Sequence, residues 1–565
     1  MWYLNPFALL FTLCNISQQF FHMLRNVAIG IKPLRIIIYL DGINPGNPLA
    51  PDPQKLLQAI YWTFAELPHW FLTRKDAWFC FSLVREIWAE ELQGQISELA
   101  RLILLVFFGE HGSAFQKGVV VSHGGESFVC SATFAGFLAD EKGLKQVFGI
   151  TGQAGNVPCI NCLNVRNRWC ALKPGEQHFW DPALGSRKQT NRFHVAEILK
   201  RLTNATSNKE RKRLQTASGF NFVPTGLLFC VALATIVDVP SIYLRDWMHT
   251  FASNGVAGTH LSLVCQALAA AGVCTQVLRT YSHKFRLPKS RRGKVTELYF
   301  KDDLMATDHV RHFASDVLGM VSILYAFLTE RIAPKGILTP NIECFSCLYA
   351  ILCILRRGEV TAAIRNTLHE LCLRHNTLFL QLYGTQHAKI KFHHVYHIAD
   401  LVWYLGSSIG CFPTERKNKD AIAVSEASDK NLAKTSVVKF LQRTLRHWEK
   451  HVNCCTEQFL TRPRTSIIDG QRVQSSTAGT FRCGDICKDD MVFLMDGSLG
   501  KVVSLWALDE TIMLRLEIHR ACIESRLHFE LNPSHESFVD SRLVVEPVFW
   551  YPKHDAIIAV VPAYD

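Results

Sequence analysis

Asp41, Asp140 and Glu415, with Cys159, Cys162, His393 and His397, are the residues whose types and spacing suit chemistry. Phosphodiester cleavage or strand transfer needs an activated oxygen nucleophile and a stabilised leaving oxygen, and two divalent cations about 3.5–4 Å apart serve both needs. Magnesium and manganese prefer hard oxygen ligands and keep several waters, so the protein need supply only a few carboxylates. Asp41 ends the apolar run Arg35-Ile-Ile-Ile-Tyr-Leu-Asp41, and Asp140 ends a second β-prone run from Ser127. Glu415 lies in Phe412-Pro-Thr-Glu-Arg-Lys417, where a helix can begin. Each acid taken alone has a plainer reading. An Asp at a strand end caps or turns the chain, and Glu415 can pair with Arg416 or Lys419 on a surface.

Cys159-Ile-Asn-Cys162 has the spacing of a structural zinc half-site. His393 and His397 are four residues apart, so on a helix they share a face, and the four side chains make a tetrahedral Zn2+ set. His394 with His397 is the rival pairing. A redox role for the cysteines suits the chain less well, because no thioredoxin-like βαβ pattern surrounds them. Leu244-Arg-Asp246-Trp-Met-His249 adds a third element. Asp246 and His249 are accessory metal or DNA contacts, or Asp246 simply caps a helix.

These residues need strands and helices to hold them. Arg35–Leu40 reads as a strand buried on both faces, and Gln58–Phe64 as a second one. Asn44-Pro-Gly-Asn-Pro48 is a turn cluster. Apolar spacing predicts helix from about Trp78 to Phe108, a short strand near Val119–Ser122, and a helix over Glu141–Phe148. The middle of the chain is mostly helical in pattern. From about residue 480, short alternating strands with Gly turns, such as Met491–Ser504 and Thr511–Leu516, predict a small SH3-like β-barrel. The expected organisation is an N-terminal apolar segment packed on the core (1–34), the first part of an α/β core (35–165), a mostly helical insertion (166–389), the rest of the core with the third acid (390–455), a linker (456–480) and the barrel (481–565).

The 565 residues carry a net charge of +12 and 48% hydrophobic residues. That composition excludes a disordered chain and suits an anionic partner such as double-stranded DNA. The 19 cysteines are irregularly spaced, unlike a secreted disulfide scaffold. A reducing compartment, nucleus or cytoplasm, follows. The apolar stretch Pro6–Cys14 is too short for a membrane span and reads as a buried segment. The first 30 or so residues contain no recognisable DNA-binding module. Lys209-Glu-Arg-Lys-Arg213 reads as a solvated helix face. Pro288-Lys-Ser-Arg-Arg-Gly-Lys294 supplies candidate phosphate contacts in Lys289, Arg291, Arg292 and Lys294, or an import signal. Arg416 and Lys417 are further candidates.

Taken in order, Tyr39-Leu-Asp-Gly-Ile-Asn-Pro-Gly-Asn-Pro-Leu49, Gly136-Phe-Leu-Ala-Asp140, Cys159-Ile-Asn-Cys162, Asp246-Trp-Met-His249, His393–His397 and Thr414-Glu-Arg-Lys417 resemble the transposases of CACTA/EnSpm-type DNA transposons and the related Plavaka-like group. The resemblance covers about residues 35–450. It implies an RNase H-like mixed sheet interrupted by a helical insertion, with Asp41, Asp140 and Glu415 as the DDE metal-binding acids. It also implies zinc on Cys159, Cys162, His393 and His397, and a homo-oligomer acting on double-stranded DNA in the nucleus. Relatives often carry His where Asn418 stands. The alternative from another class is a non-catalytic nucleic-acid or chromatin binding protein derived from a transposase.

Overall fold

The run Ile36-Ile-Ile38 is fully buried, as a β-branched strand with both faces covered should be. In the computed structural model it lies in β1 (Leu34–Ile43), which pairs antiparallel with β2 (Leu57–Phe64), itself antiparallel to β3 (Phe79–Arg85). A short hairpin, β4 (Val119–His123) with β5 (Glu126–Cys130), precedes β6 (Ala132–Ala139). β6 runs parallel to β1, and β7 (Tyr243–Arg245) runs parallel to β6. The sheet order is β3-β2-β1-β6-β7. The structure describes all residues except 1, 32, 47–51, 110–114, 153–154, 164–189, 292–294, 296–298, 301–306, 308, 311, 429–430, 452–454, 469–470, 509–510, 523–526, 555 and 562–565.

Alternation along the strands decides what covers each face. Tyr39 and Tyr61 stack on each other at 5.9 Å, with Phe440 of the Leu432–Lys450 helix beyond Tyr61 at 6.4 Å. Trp62 and Phe64 turn the other way, towards Phe107 of the Gln95–Phe108 helix and Phe115. Each such ring contributes roughly 2–3 kcal/mol by burial, so the sheet is a rigid support for whatever stands at its strand ends. The N-terminal segment is helical and partly buried. It forms two helices, Pro6–Ile16 capped by Asn5 and Gln18–Gly30 capped by Ser17, bent by 119° at the break and burying Leu10, Leu13, Phe20 and Phe21.

The chain divides into two compact units. One comprises 1–250, 359–369 and 389–455; the other comprises 251–358, 370–388 and 456–565. Residues up to 250, expected in the insertion, therefore belong with the first sheet, and β7 is its fifth strand. The helix expected from Trp78 begins instead with β3. Its continuous apolar run satisfies a buried strand as well as a helix face, and only Gln95–Phe108 is a long helix.

The second unit is helical up to Ala388. By length and composition its Ala314–Lys335 run is apolar enough to cross a membrane, and 67% of that stretch is buried within the protein. Its remaining residues are β. Seven strands, including Leu499–Leu508 and Thr511–His519, form one sheet, and two three-stranded sheets accompany it. None of these sheets closes, in contrast to the barrel expected from the strand pattern. The expected linker is structured too: Arg464–Ile468 pairs with Gln471–Ser476. The molecule is thus mixed α/β with several open sheets.

Candidate metal centre

A one-residue irregularity in the sheet aligns the first two acids. Ile36 pairs with Phe134, but Ile37 pairs with Gly136, so Ala135 is skipped and the register then runs to Tyr39 opposite Leu138. Continued two residues, it sets Asp41 level with Asp140 on neighbouring parallel strands, which lie about 4.8 Å apart. Without the bulge Asp41 would face Ala139, and the two carboxylates would stand on opposite faces. Gly136 permits the local path. Its φ is +152°, and a Cβ there would sit 2.4 Å from the Ile242 carbonyl oxygen on the segment entering β7.

Asp140 is also the N-cap of the Glu141–Phe148 helix, where its Oδ1 accepts from the Gly143 N–H at 2.6 Å. Asp41 Oδ2 accepts from the Tyr39 hydroxyl at 2.8 Å and from Asn418 Nδ2 at 2.9 Å. Glu415 stands in the first turn of the Phe412–Glu426 helix, one turn before Asn418. Asp41 senses the Asp140 charge, and Glu415 senses both. Burial pushes Asp41 up to about 6; the Tyr39 hydrogen bond opposes this and the Asp140 charge adds to it. Burial, then the charge of Asp41, raises Glu415 to about 7, with Asp246 and Asp140 contributing. Two carboxylates that resist ionising beside a third are poised to accept a cation.

Asp246 and His249 join this group. Asp246 is fully buried and accepts from the N–H groups of Met248, His249 and Cys411 and from His249 Nδ1 at 2.6 Å. Burial works against its charge. The His249 contacts and the backbone donors outweigh burial and hold the carboxyl below the usual range. For His249 burial also opposes the charge, yet Asp246 and then Glu415 and Asp140 raise its pKa. His249 Nε2 lies 3.9 Å from Glu415 Oε1. Asp246, His249 and Cys411 offer ligand atoms all within 4.8 Å of one another, a set that the three acids do not form.

Cys159, Cys162, His393 and His397 do come together, all buried. Both sulfurs lie 3.3 Å from His397 Nε2, which is 3.2 Å from His393 Nε2. A tetrahedral zinc with Zn–S of about 2.3 Å and Zn–N of about 2.05 Å has ligand edges of about 3.3–3.8 Å, so the donor set fits zinc closely. Burial pushes the Cys159 thiol up; the Cys162 hydrogen bond, the Arg245 charge and the two imidazoles outweigh it and bring it well down. Burial takes His397 down to about 4, leaving it neutral as a ligand must be. Arg245 Nη2 donates to Cys159 Sγ at 3.3 Å, and Asn161, which Arg245 also contacts, holds the Pro240 carbonyl at 2.6 Å. His394 faces elsewhere, with Nδ1 3.8 Å from Glu141 Oε2, so the choice between the two histidines falls on His393.

The proposed DNA contacts fare differently. Lys417 is buried, its Nζ donating to the Lys75 carbonyl at 3.0 Å and lying over the Tyr61 and Phe440 rings. It is a core cation and not a phosphate contact. Arg416 is at the surface and donates to the Thr73 carbonyl at 2.7 Å. Lys289 is half exposed but engaged with the Lys488 carbonyl and Asp489. Arg291 ends the short turn Lys289–Arg291. Arg292, Lys294 and part of the turn cluster after Asn44 lie outside the described residues.

Sequence reasoning missed Tyr39 and Asn418 as holders of Asp41. It also missed Lys391, which burial brings down to about 8 against the pull of Asp246, Glu141 and Asp140. Asn418 had a signal: it stands one helical turn after Glu415 and so shares its face. Comparison with protein-family models and with curated proteins finds no match to this chain.

Proposed function

We propose that this chain is a metal-dependent polynucleotidyl transferase of the DDE transposase kind, similar to the CACTA/EnSpm group, with an RNase H-like core in its first unit. One observation supports the reading most: the β1–β6 register, continued past its last pair Tyr39–Leu138, sets Asp41 level with Asp140 just beyond β6, and the charges of both acids raise the pKa of Glu415. Three antiparallel strands followed by two parallel ones, with the third acid supplied by a later helix, agree with that core.

Bound Mg2+ or Mn2+ would supply charge neutralisation at the scissile phosphate and an acidified water. Asp41, Asp140 and Glu415 are the residues that would hold the cations. Asp246 fixes the His249 ring by its Nδ1 bond, and the ring's other nitrogen lies 3.9 Å from Glu415 Oε1. The zinc set ties the Cys159–Cys162 loop to the Ile390–Leu405 helix, which carries Lys391 beside the acids. Double-stranded DNA as substrate, nuclear location and self-association belong to the same reading.

A non-catalytic DNA- or chromatin-binding role is favoured by a different observation. The three acids do not gather as tightly as the zinc ligands do, and Tyr39 and Asn418 already occupy Asp41 Oδ2. Nicking of supercoiled duplex DNA separates the two. The wild type should nick in Mg2+ or Mn2+, and Asp41→Asn or Asp140→Asn should lose about a hundredfold or more while still binding DNA. Binding with no cation-dependent nicking by the wild type selects the non-catalytic role.

A further inference from the structure

The second unit buries a donor set of its own. His260 on the Val256–Ala270 helix, Cys344 on the Thr339–Arg357 helix and His375 on the Ala362–Tyr383 helix offer ligand atoms all within 4.8 Å of one another, and all three are fully buried. His260 Nδ1 and His375 Nε2 face each other at 3.1 Å, close to the N···N edge of about 3.3 Å in a tetrahedral zinc site. The Cys344 sulfur lies 3.6 Å from the His375 carbonyl oxygen.

Hydrogen bonding assigns the tautomer. His375 Nδ1 lies 3.1 Å from Asn376 Oδ1. An amide oxygen only accepts, so Nδ1 carries the proton and the Nε2 lone pair points at the cluster. That is the arrangement by which a neighbouring acceptor orients a metal-bound imidazole. His260 Nε2 is buried without a hydrogen-bond partner, inside a ring of Phe345, Phe379 and Tyr383.

We infer that His260, Cys344 and His375 form a second zinc site that pins three helices of the second unit together. Two nitrogens and one sulfur with no carboxylate select zinc over magnesium or calcium, and one tetrahedral position is left for a water. This site is independent of the carboxylates and of the Cys159 set.

The test is metal content of the full chain, purified without chelator. The wild type should carry two zinc ions per chain. Cys344→Ser and His375→Gln should each carry one, Cys159→Ser should carry one, and Cys159→Ser with Cys344→Ser should carry none. A wild type with one zinc, lost in Cys159→Ser and kept in Cys344→Ser, overturns the assignment. Cobalt titration of the metal-free wild type does not depend on any variant folding. Thiolate-to-cobalt absorbance that stops growing at two cobalt per chain supports the site, and saturation at one rejects it.

Discussion

Asp41 is the residue where opposing influences meet. Tyr39 and Asn418 favour its ionised form, while burial and the Asp140 charge oppose it and win, leaving it near 6. An unfolded Asp titrates near 3.9 and an unfolded Glu near 4.3. Between about pH 4 and 7 the native protein therefore binds more protons at Asp41 and Glu415 than the unfolded chain, and linkage makes stability fall as pH rises through that window. Below it the penalty is absent; above it the penalty is complete. In chelator, the contribution of Asp41 should be a loss of up to about 2–3 kcal/mol between pH 4 and 7. It is read as the difference in unfolding free energy between wild type and Asp41→Asn. Millimolar Mg2+ should restore stability at pH 8 and do nothing at pH 5. An identical pH dependence for the two proteins would contradict the assignment. Residue types announced much of this site, since strand-end acids and a Cys-x-x-Cys are legible as such. What spacing could not decide was orientation. His393 and His394 are neighbours, and only the fold shows that one faces the cysteines and the other Glu141. Lys417 looked like a phosphate contact because Tyr61, whose ring it lies over, and Lys75, whose carbonyl it bonds, are more than 300 residues away in the sequence.

At the scale of elements, the β1–β6 register is what turns two separate acids into a pair. Gly136→Ala would force a Cβ onto the Ile242 carbonyl and a φ of +152° onto alanine. We expect a loss of about 2–4 kcal/mol in denaturant unfolding, together with loss of Mg2+-dependent stabilisation. A variant as stable as wild type would show that the close β6–β7 approach is dispensable. The Cys159, Cys162, His393 and His397 set, if zinc is its metal as proposed, should act on its own elements. Exhaustive chelation, or Cys159→Ser, removes a tie between segments over two hundred residues apart and should cost more than about 4 kcal/mol by calorimetry, recovered on adding Zn2+ to the wild type alone. β1 and β2 were legible because their apolar runs are short and bounded. β3 was not, since an apolar run leading into a helix carries no mark of where strand ends. The Arg464–Ser476 hairpin left a trace that polarity hid: its strands are separated in the sequence by Asp469-Gly470, the pair favoured in two-residue hairpin turns.

For the whole molecule, the proposal that duplex DNA is the partner predicts, with an excess of twelve positive charges, binding that depends steeply on salt. Binding should weaken on raising salt from 50 to 200 mM by at least about tenfold in a filter or anisotropy assay, in both the wild type and Asp140→Asn. Salt-insensitive binding would contradict a phosphate-backbone partner. The order of motifs along the chain carried the proposed function, while the division into units was hidden, because β7 and Asp246 join the first sheet from within a stretch of helical pattern. The most direct test is anomalous scattering from crystals of the wild type soaked in Mn2+. We expect manganese about 2.2 Å from carboxylate oxygens of both Asp41 and Asp140, with Glu415 or a bridging water completing a shell, and no manganese in Asp41→Asn. Wild-type crystals at saturating Mn2+ with no ion between Asp41 and Asp140 would contradict the proposal that these acids form one cation site.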